Sequence, residues 1–511
     1  MEPQDRYVAS LKSYAAGPRV SCRSGGEHFK CLVQFFDDQI RSSRSHRYQS
    51  PSTIAMAIFS DSQEGRQWLA LPRAADEVIS IPPVCQGTAH LVFIHGFASA
   101  TALAAIGAHY RVDPEFFRRC VGFIKGPSFY DYPPLPTASR TVGRLRISTL
   151  CARKVPLTMK EVESLRKEES ARVARHHQQL TSNVTIGSSI VRAFATLNEV
   201  LVAVEQDVLF CVRKRKQGGW SAIIWQDMGQ PLDRLVNAPW HTKGSTEIEP
   251  KPVIQHGWNK ARKASGNNTA SGADEPGGDS CNFGMTYGST LASSIVRSDA
   301  TYALSELYAL AAASENQFLN ATLNLAEEAA RSSSRHEEQA RRDLQYFKLL
   351  LDSHTMHLEE SLAFINLCGS PAWPGATDPS EQETVKAQMH DMAVNFGYLV
   401  SRSKDLSAKC SQGIRDMVNG SRLSELQTSR RQGEAVYRLS LLALFFLPLS
   451  LTTGIFGMNI YELNSGSGKI QNVFIVTVVS MGLTCLMCFP REVVRAGSYF
   501  FRRPRRGLPN E

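Results

Sequence analysis

The hydrophobic and polar positions divide the chain into three regimes. In the first 230 residues short apolar runs alternate with polar turns. His90–Phe97, HLVFIHGF, is apolar and β-branched and predicts a buried strand. DPEFFRRCVGFI follows, with Asp113 as helix cap and Pro114 at the first helical position. Pro127–Pro136 is a proline-rich connector, and Gly143–Thr149, GRLRIST, alternates like a half-buried strand. VLFCV (208–212) and WSAIIW (220–225) flank Gly218-Gly219, which predicts a hairpin. Residues 1–60 are weakly informative, with a polar Ser/Arg-rich loop at Ser42–Ser52. From Pro239 to Thr290, Lys, Gly, Asn, Ser, Asp and Pro dominate, which predicts a disordered insert or linker.

Beyond Ser293 the pattern turns helical. Ala300–Asn366 holds few helix breakers, and GSPAWPGATD (369–378) is a turn. A second long helix then carries a heptad-like stripe of Val385, Met389, Met392, Phe396, Leu399, Leu406 and Cys410. Ser403 breaks that stripe, and Gly413 and Gly420 loosen it. No proline intervenes from Glu381 to Leu447, and carried on to the end of the apolar run about 75 residues of helix would run roughly 110 Å. Such a helix is either one member of a packed bundle or a stalk that continues into a membrane.

The apolar material is concentrated at residues 439–490. Leu439–Phe456, LSLLALFFLPLSLTTGIF, has 18 residues without a charge, and Ile470–Phe489 has 20 more. Each can cross about 30 Å of hydrocarbon. Arg430, Arg431 and Arg438 precede the first run. Arg491, Arg495, Arg502, Arg503, Arg505 and Arg506 follow the second, whereas the loop between has only Lys469 against Glu462. The positive-inside rule therefore predicts two spans with both termini cytosolic. The N-terminus has no apolar core of a signal peptide, which also places the bulk of the chain in the cytosol. Pro448 would disrupt a water-exposed helix but is tolerated in a membrane bundle.

Charge and cysteine usage narrow the classes. The formal charge is +9, but the basic residues are scattered or lie beside the apolar runs. With no zinc-finger spacing and no aromatic-studded basic strand, nucleic acid is not expected as a partner. The 11 cysteines do not form a disulfide scaffold in so long a chain, and Cys485 and Cys488 read as small thiols inside an apolar helix. FIHGFAS (93–99) has no G-x-S-x-G elbow near it and reads as a strand-ending turn rather than a hydrolase feature. His176-His177, without Cys or acidic partners at zinc spacing, reads as solvated.

The first apolar run ends in Gly457-Met458-Asn459, within FFLPLSLTTGIFGMNI. The triplet follows a charge-free span with an internal proline. A short loop, a second span and a basic tail come after it. In this context the chain resembles the CorA family of magnesium and related metal transporters, in particular its divergent fungal members. Ile106–Ile124, IGAHYRVDPEFFRRCVGFI, is similar to an N-terminal signature of those proteins. The resemblance is strong over roughly 380–490 and looser over 90–370.

With the patterning above, the resemblance implies an α+β cytosolic domain (1–238) and a cytosolic helical region (293–370), separated by the insert (239–292), which matches nothing in the family. A stalk helix (378–438), a transmembrane hairpin (439–490) and a basic cytosolic tail (491–511) complete a homo-oligomeric funnel. It implies no enzyme and no resident cofactor, but a homopentamer in a bilayer, with the plasma membrane expected. Divalent cations, Mg²⁺ first, would pass along the first span. Mg²⁺ dehydrates reluctantly, so a ring of Asn459 amides would accept hydrogen bonds from its waters. Asn459 is thus the metal-contacting residue, Gly457 allows close packing at the turn, and Met458 packs the mouth. The family's pore face carries over to Gly454, Ser450, Leu447, Ala443, Leu439 and Val436, small or polar outside and apolar inside, as an entry above a dewetting gate requires.

Many family members have Met-Pro-Glu-Leu just beyond the triplet. Here the loop is IYELNSGSGK with Glu462 as its only acid, and no motif marks regulatory metal sites. Two other readings stand beside the Mg²⁺ channel: a non-conducting membrane-anchored scaffold, and a transporter for zinc, cobalt or nickel. The topology has a direct check. Asn183, Asn267 and Asn320 each open an N-x-Ser/Thr sequon. With a cytosolic N-terminal region, none should carry sugar after expression in a eukaryotic host, as read by glycosidase-dependent gel shift.

Overall fold

The computed structural model describes residues 2–17, 25–43, 54–60, 66–70, 81, 87–124, 135, 137–182, 186–215, 218–235, 237–242, 247–255, 287–288, 290–332, 337–457 and 470–488. The chain divides into two compact units, Met1–Ile414 and Arg415–Glu511.

The first unit is built on a mixed eight-stranded sheet. Its strands are β1 (Ile54–Phe59), β2 (Arg66–Ala70), β3 (Ala89–His95), β4 (Val142–Arg153), β5 (Ala193–Thr196), β6 (Leu201–Lys214), β7 (Trp220–Gln226) and β8 (Ile248–Pro250). The order is β2-β1-β3-β7-β6-β4-β8, with β5 also paired to β6. All pairs are antiparallel except β3 and β7, which run parallel with Leu91 opposite Ala222. The apolar run at 90–97 is thus a central strand, buried along almost its whole length. Gly218 and Gly219 sit at φ 87° and 77° between β6 and β7, a backbone that strands twisted in the usual sense need and that glycine adopts without steric cost.

Strand alternation sorts the core onto two faces. Val92, Ile94, Leu209, Cys211, Ile223 and Trp225 pack with helices α1 (Pro3–Ala15), α2 (Lys30–Ser43), α3 (Ala100–Tyr110) and α4 (Pro114–Cys120). Two of these helices show their start signals. Ser99 Oγ accepts from Ala102 N at 3.3 Å ahead of α3, and Asp113 Oδ1 accepts from Glu115 N at 2.9 Å ahead of α4. Among the described residues the weakly patterned first 60 positions hold the helices α1 and α2 and the strand β1.

The opposite face receives the later helices. These are α6 (Ser293–Ser298), α7 (Ala300–Ala303), α8 (Ser305–Ser332) and α9 (Glu337–Ile365), while α5 (Met159–Ser182) lies beside β5. Phe210 of β6 stands 5.9 Å from Tyr308, 5.6 Å from Phe364 and 6.4 Å from Trp373, ring centre to ring centre. Gly143 leaves room for this nest, since a Cβ there would meet Phe210 Cζ at 2.3 Å and Phe364 at 2.7 Å.

Helix α10 (Pro379–Gly457) begins in this unit. Its stripe Val385, Met392, Phe396, Leu399, Leu406 and Cys410 is buried within the chain itself. Ser403 does not break that stripe. It is fully buried, accepts from Thr355 Oγ1 at 2.8 Å and donates to Leu351 O at 3.1 Å.

The expected insert needs correction at its edges. Trp240, Ile248 and Tyr287 are buried, and β8 extends the sheet against β4. The polar composition of 239–292 masks these few apolar anchors, and residues 256–286 lie outside the described residues. His176 and His177 are not solvated either. His176 is buried, and His177 Nε2 lies 2.7 Å from Val191 O.

The aromatic nest joins sheet to helices, so Phe210→Ala should lower stability by about 3–5 kcal/mol. Denaturant unfolding of the purified chain, followed by tryptophan fluorescence, measures it.

Candidate functional site: an exposed helical stripe and a buried charge network

In the second unit the rest of α10 is followed by α11 (Ile470–Cys488). The run Leu439–Gly457 is helical throughout, as uncharged residues with good helix-forming leucines allow. Val436, Leu439, Ala443, Leu447, Ser450 and Gly454 fall on one stripe, and all six are exposed. Val436, Leu439 and Leu447 reach 63%, 70% and 67%. A Cβ on Gly454 would find open space. Ser450 Oγ turns back to Leu447 O at 3.1 Å, so its hydrogen is satisfied by its own helix.

Gly457 is the last residue of α10. Met458 and Asn459 lie outside the described residues, as do the loop with Glu462 and the basic tail from Arg491. The side chains of Cys485 and Cys488 lie outside them too.

The contact between the two helices was not anticipated. Thr477 Oγ1 donates to Thr452 Oγ1 at 3.1 Å, and Thr452 is 2% exposed. The signal available in sequence was a threonine in each apolar run, since small hydroxyl residues join helices in membranes. Among the described residues one helix, the run ending at Gly454, is long and apolar enough to cross a membrane. The described apolar part of α11 is shorter, Phe474–Leu483.

The first unit holds a second feature that sequence reading missed. Arg146 of β4 donates to Asp207 Oδ1 at 2.6 Å and pairs with Glu205, both on β6. His354 of α9 lies between two carboxylates. Its Nδ1 is 2.7 Å from Glu315 Oε1 and its Nε2 3.4 Å from Glu205 Oε1. Ser148 Oγ donates to Glu315 Oε2 at 3.2 Å, and Phe318 stacks on the imidazole at 3.9 Å. Arg192 continues the network through Asp227 at 2.6 Å. The carboxylates and His354 are buried, and the side chains of Arg146 and Arg192 are only 12% and 9% exposed.

Burial opposes the charge on His354, but Glu315 and Glu205 more than offset it and raise its pKa to about 10. Burial would likewise raise Glu205. His354 and Arg146 instead hold it well below the usual carboxylate range. His357, one turn on, is pushed down to about 3 by burial and by Arg146, so the two histidines of one helix hold opposite charge states at neutral pH. Glu169 of α5 is raised to about 7 by burial, although Thr196 N and Tyr346 Oη donate to it at 2.7 and 2.8 Å. No group of three metal-ligating side chains occurs among the described residues. The network is a structural clamp between β4, β6, α8 and α9.

Comparison with known proteins decides the affiliation of the C-terminal region. Residues 317–489 match the family model described as CorA-like Mg²⁺ transporter protein. Over this third of its length the chain is similar to the CorA-like family. The match begins in α8 and ends just beyond α11, so it takes in the helices that clamp to the sheet as well as the apolar pair. Members of that family are transporters and channels rather than enzymes. No curated protein matches the chain.

The clamp makes a pH-dependent prediction. His354 has a folded pKa of about 10 against about 6.5 unfolded. Its contribution is therefore complete below pH ~6.5 and lost as pH rises through ~10. His354→Leu leaves buried Glu315 without its cation and Glu205 with Arg146 alone, and should cost about 3–5 kcal/mol at neutral pH. The variant should also lack the parent's loss of stability between those two pH values. Denaturant titrations at a series of pH values check both.

Proposed function

We propose that the protein is a divalent-cation channel of the CorA type, with Mg²⁺ as its cargo and α10 lining the path. The observation that supports this most directly is the exposed stripe Val436–Gly454, which lies inside the CorA-like match and leads to Gly457, the residue before Met458 and Asn459. The stripe has no partner within the described chain. Its inner part, Val436, Leu439, Ala443 and Leu447, is apolar, and its outer part, Ser450 and Gly454, is small or polar. One helix cannot enclose a water path, so several copies must bring their stripes together. A homopentamer is the arrangement that the family resemblance implies.

In this reading α10 and α11 both cross the plasma membrane and both termini face the cytosol. The hydrated cation meets a ring of Asn459 amides at the outer mouth. Neutral oxygens accept hydrogen bonds from its waters without the tight hold that a ring of carboxylates would exert. Below the mouth Ser450 and Gly454 leave room for a hydrated ion. The rings at Leu447 and Leu439 are wide enough to pass it only when wet, and an apolar constriction closes by expelling water.

The test uses the full chain reconstituted in vesicles, with flux measured for Mg²⁺, Zn²⁺, Co²⁺ and Ni²⁺. Asn459→Ala should abolish selective uptake while membrane abundance and oligomer size stay unchanged. Asn459→Asp should bind divalent cations more tightly and conduct them more slowly. Leu447→Asn should raise basal flux several-fold, because a polar ring holds water where leucine expels it. Parent-like flux from all three variants in intact oligomers would favour a non-conducting scaffold. A maximum for Zn²⁺, Co²⁺ or Ni²⁺ would keep the channel and replace its cargo.

A further inference from the structure

Arg431 and Arg438 stand seven residues apart on α10. On a straight helix they are offset by only about 20° around the axis and separated by about 10 Å along it. Their face lies roughly a third of a turn from the centre of the Val436–Gly454 stripe, at about 100° per residue. A cleft of about 450 Å³ runs along it, lined by Arg431, Glu434, Ala435, Arg438, Leu439 and Leu442. Glu434 is the acid of this lining, and its carboxylate pairs with Arg430 at 3.7 Å. Among the described residues neither Arg431 nor Arg438 has a carboxylate partner. Leu439 and Leu442, at the other end of the cleft, are 70% and 58% exposed.

The cleft is therefore cationic at one end and apolar at the other. The boundary falls at Arg438-Leu439, where the charge-free run begins. Arginine side chains near the end of a span extend toward the head-group layer while their methylenes stay on apolar surface. That layer extends about 5–7 Å beyond the hydrocarbon on each side. The roughly 10 Å between the two positions along the axis is within the combined reach of two arginine side chains.

We propose that this face binds an anionic phospholipid, its phosphate held between Arg431 and Arg438 and an acyl chain lying along Leu442, four residues beyond Arg438 on the same face. The inference rests on the reading of Leu439–Phe456 as a membrane span. The guanidinium groups can each donate two parallel hydrogen bonds to phosphate oxygens. A zwitterionic head group brings its own ammonium to compete for the same phosphate, so an anionic head group is favoured. The exposed Leu442 beside the arginines explains why the occupant is a lipid rather than a free ion.

The experiment uses the full chain, purified in detergent and exposed to equal amounts of phosphatidylglycerol and phosphatidylcholine before native mass spectrometry. The parent should retain phosphatidylglycerol over phosphatidylcholine on the order of tenfold, in line with what two basic side chains contribute at an anionic surface. Arg431→Gln/Arg438→Gln should bring that ratio close to one, while Arg430→Gln, which removes a charge of the same sign from the neighbouring position, should leave it unchanged. Equal loss in Arg430→Gln would reduce the effect to net charge and overturn the proposal. Displacement of the lipid by excess inorganic phosphate would overturn it in favour of a simple anion site. A change in oligomer size in the double variant without a change in lipid ratio would assign the face to a second copy of the chain and overturn it too. Alkaline extraction of membranes separates the two levels. A parent chain released into the soluble fraction defeats the membrane reading, whereas a chain that stays in the membrane without lipid preference defeats this inference alone.

Discussion

The first unit depends on the burial of charges that are tolerable only together. Arg146, Glu205, Asp207, Glu315 and His354 come from two strands and two helices, and each would be costly without the others. Glu205 on β6 needs Arg146 from β4 and His354 from α9. His354 in turn needs Glu315 from α8. The sheet therefore cannot shed the helical pair without leaving carboxylates in a dry interior. A purely apolar contact between sheet and helices could slide by a turn, because leucine and phenylalanine are satisfied by any apolar neighbour. An imidazolium between two carboxylates is satisfied in one register only. Specificity of docking is the role such buried ionic groups fill best.

This clamp also fixes what α10 packs against in the first unit. Thr355 lies one residue beyond His354, and its hydroxyl meets Ser403 on α10 at 2.8 Å. Asp352, two residues before His354, accepts from Ser407 Oγ at 2.6 Å. The polar rungs on α10 are thus set by the same turn of α9 whose opposite face holds the charge network. Ser403 sits in line with Phe396, Leu399 and Leu406 because the stripe has to accommodate a hydroxyl on its partner helix. An all-leucine stripe would leave Thr355 with only its own backbone as acceptor.

Much of this architecture was legible in the chain, and the parts that were not share a cause. The strand at 89–95, the capped helix after Asp113, the glycine hairpin and the long proline-free helix each carry a local signal: burial periodicity, a cap or a turn residue. The charge network carries none. Glu205 and Asp207 stand out as acids at alternate positions in an apolar strand. Nothing near them in sequence indicates that their partners are Arg146 and His354, tens to more than a hundred residues away. Trp240 and Ile248 were hidden for a different reason. Two anchors in a long polar stretch do not change its composition, yet two are enough to fix β8 on the sheet edge. The stripe from Val436 to Gly454 came from family resemblance rather than periodicity, because in a run where nearly every residue is apolar no face stands out.

That uniform apolarity changes what counts as a signal in the second unit. In the apolar run Leu439–Gly457 the polar side-chain atoms are hydroxyls, and most of them are consumed locally. Ser440 donates to Val436 O, Ser450 to Leu447 O and Thr453 to Leu449 O, at 2.9, 3.1 and 2.9 Å. A hydroxyl bonded to the preceding turn costs little in a medium without water and gives the helix no direction. Thr452 differs, because it also receives a hydrogen bond from Thr477 and is covered. That contact fixes which face of α10 meets α11. The stripe is on another face, since Gly454 and Ser450 are exposed while Thr452, between them in sequence, is buried. In water such an exposed apolar stripe would be a liability. In a bilayer lipid can cover it at no cost, so hydrophobicity alone cannot drive copies of α10 together. What can drive them is close packing at the small residues Ala443, Ser450 and Gly454, where backbones approach without a bulky side chain between them. The residues that leave room for an ion in the channel reading are the same ones that would let neighbouring helices pack, so that reading asks one set of side chains for both assembly and conduction.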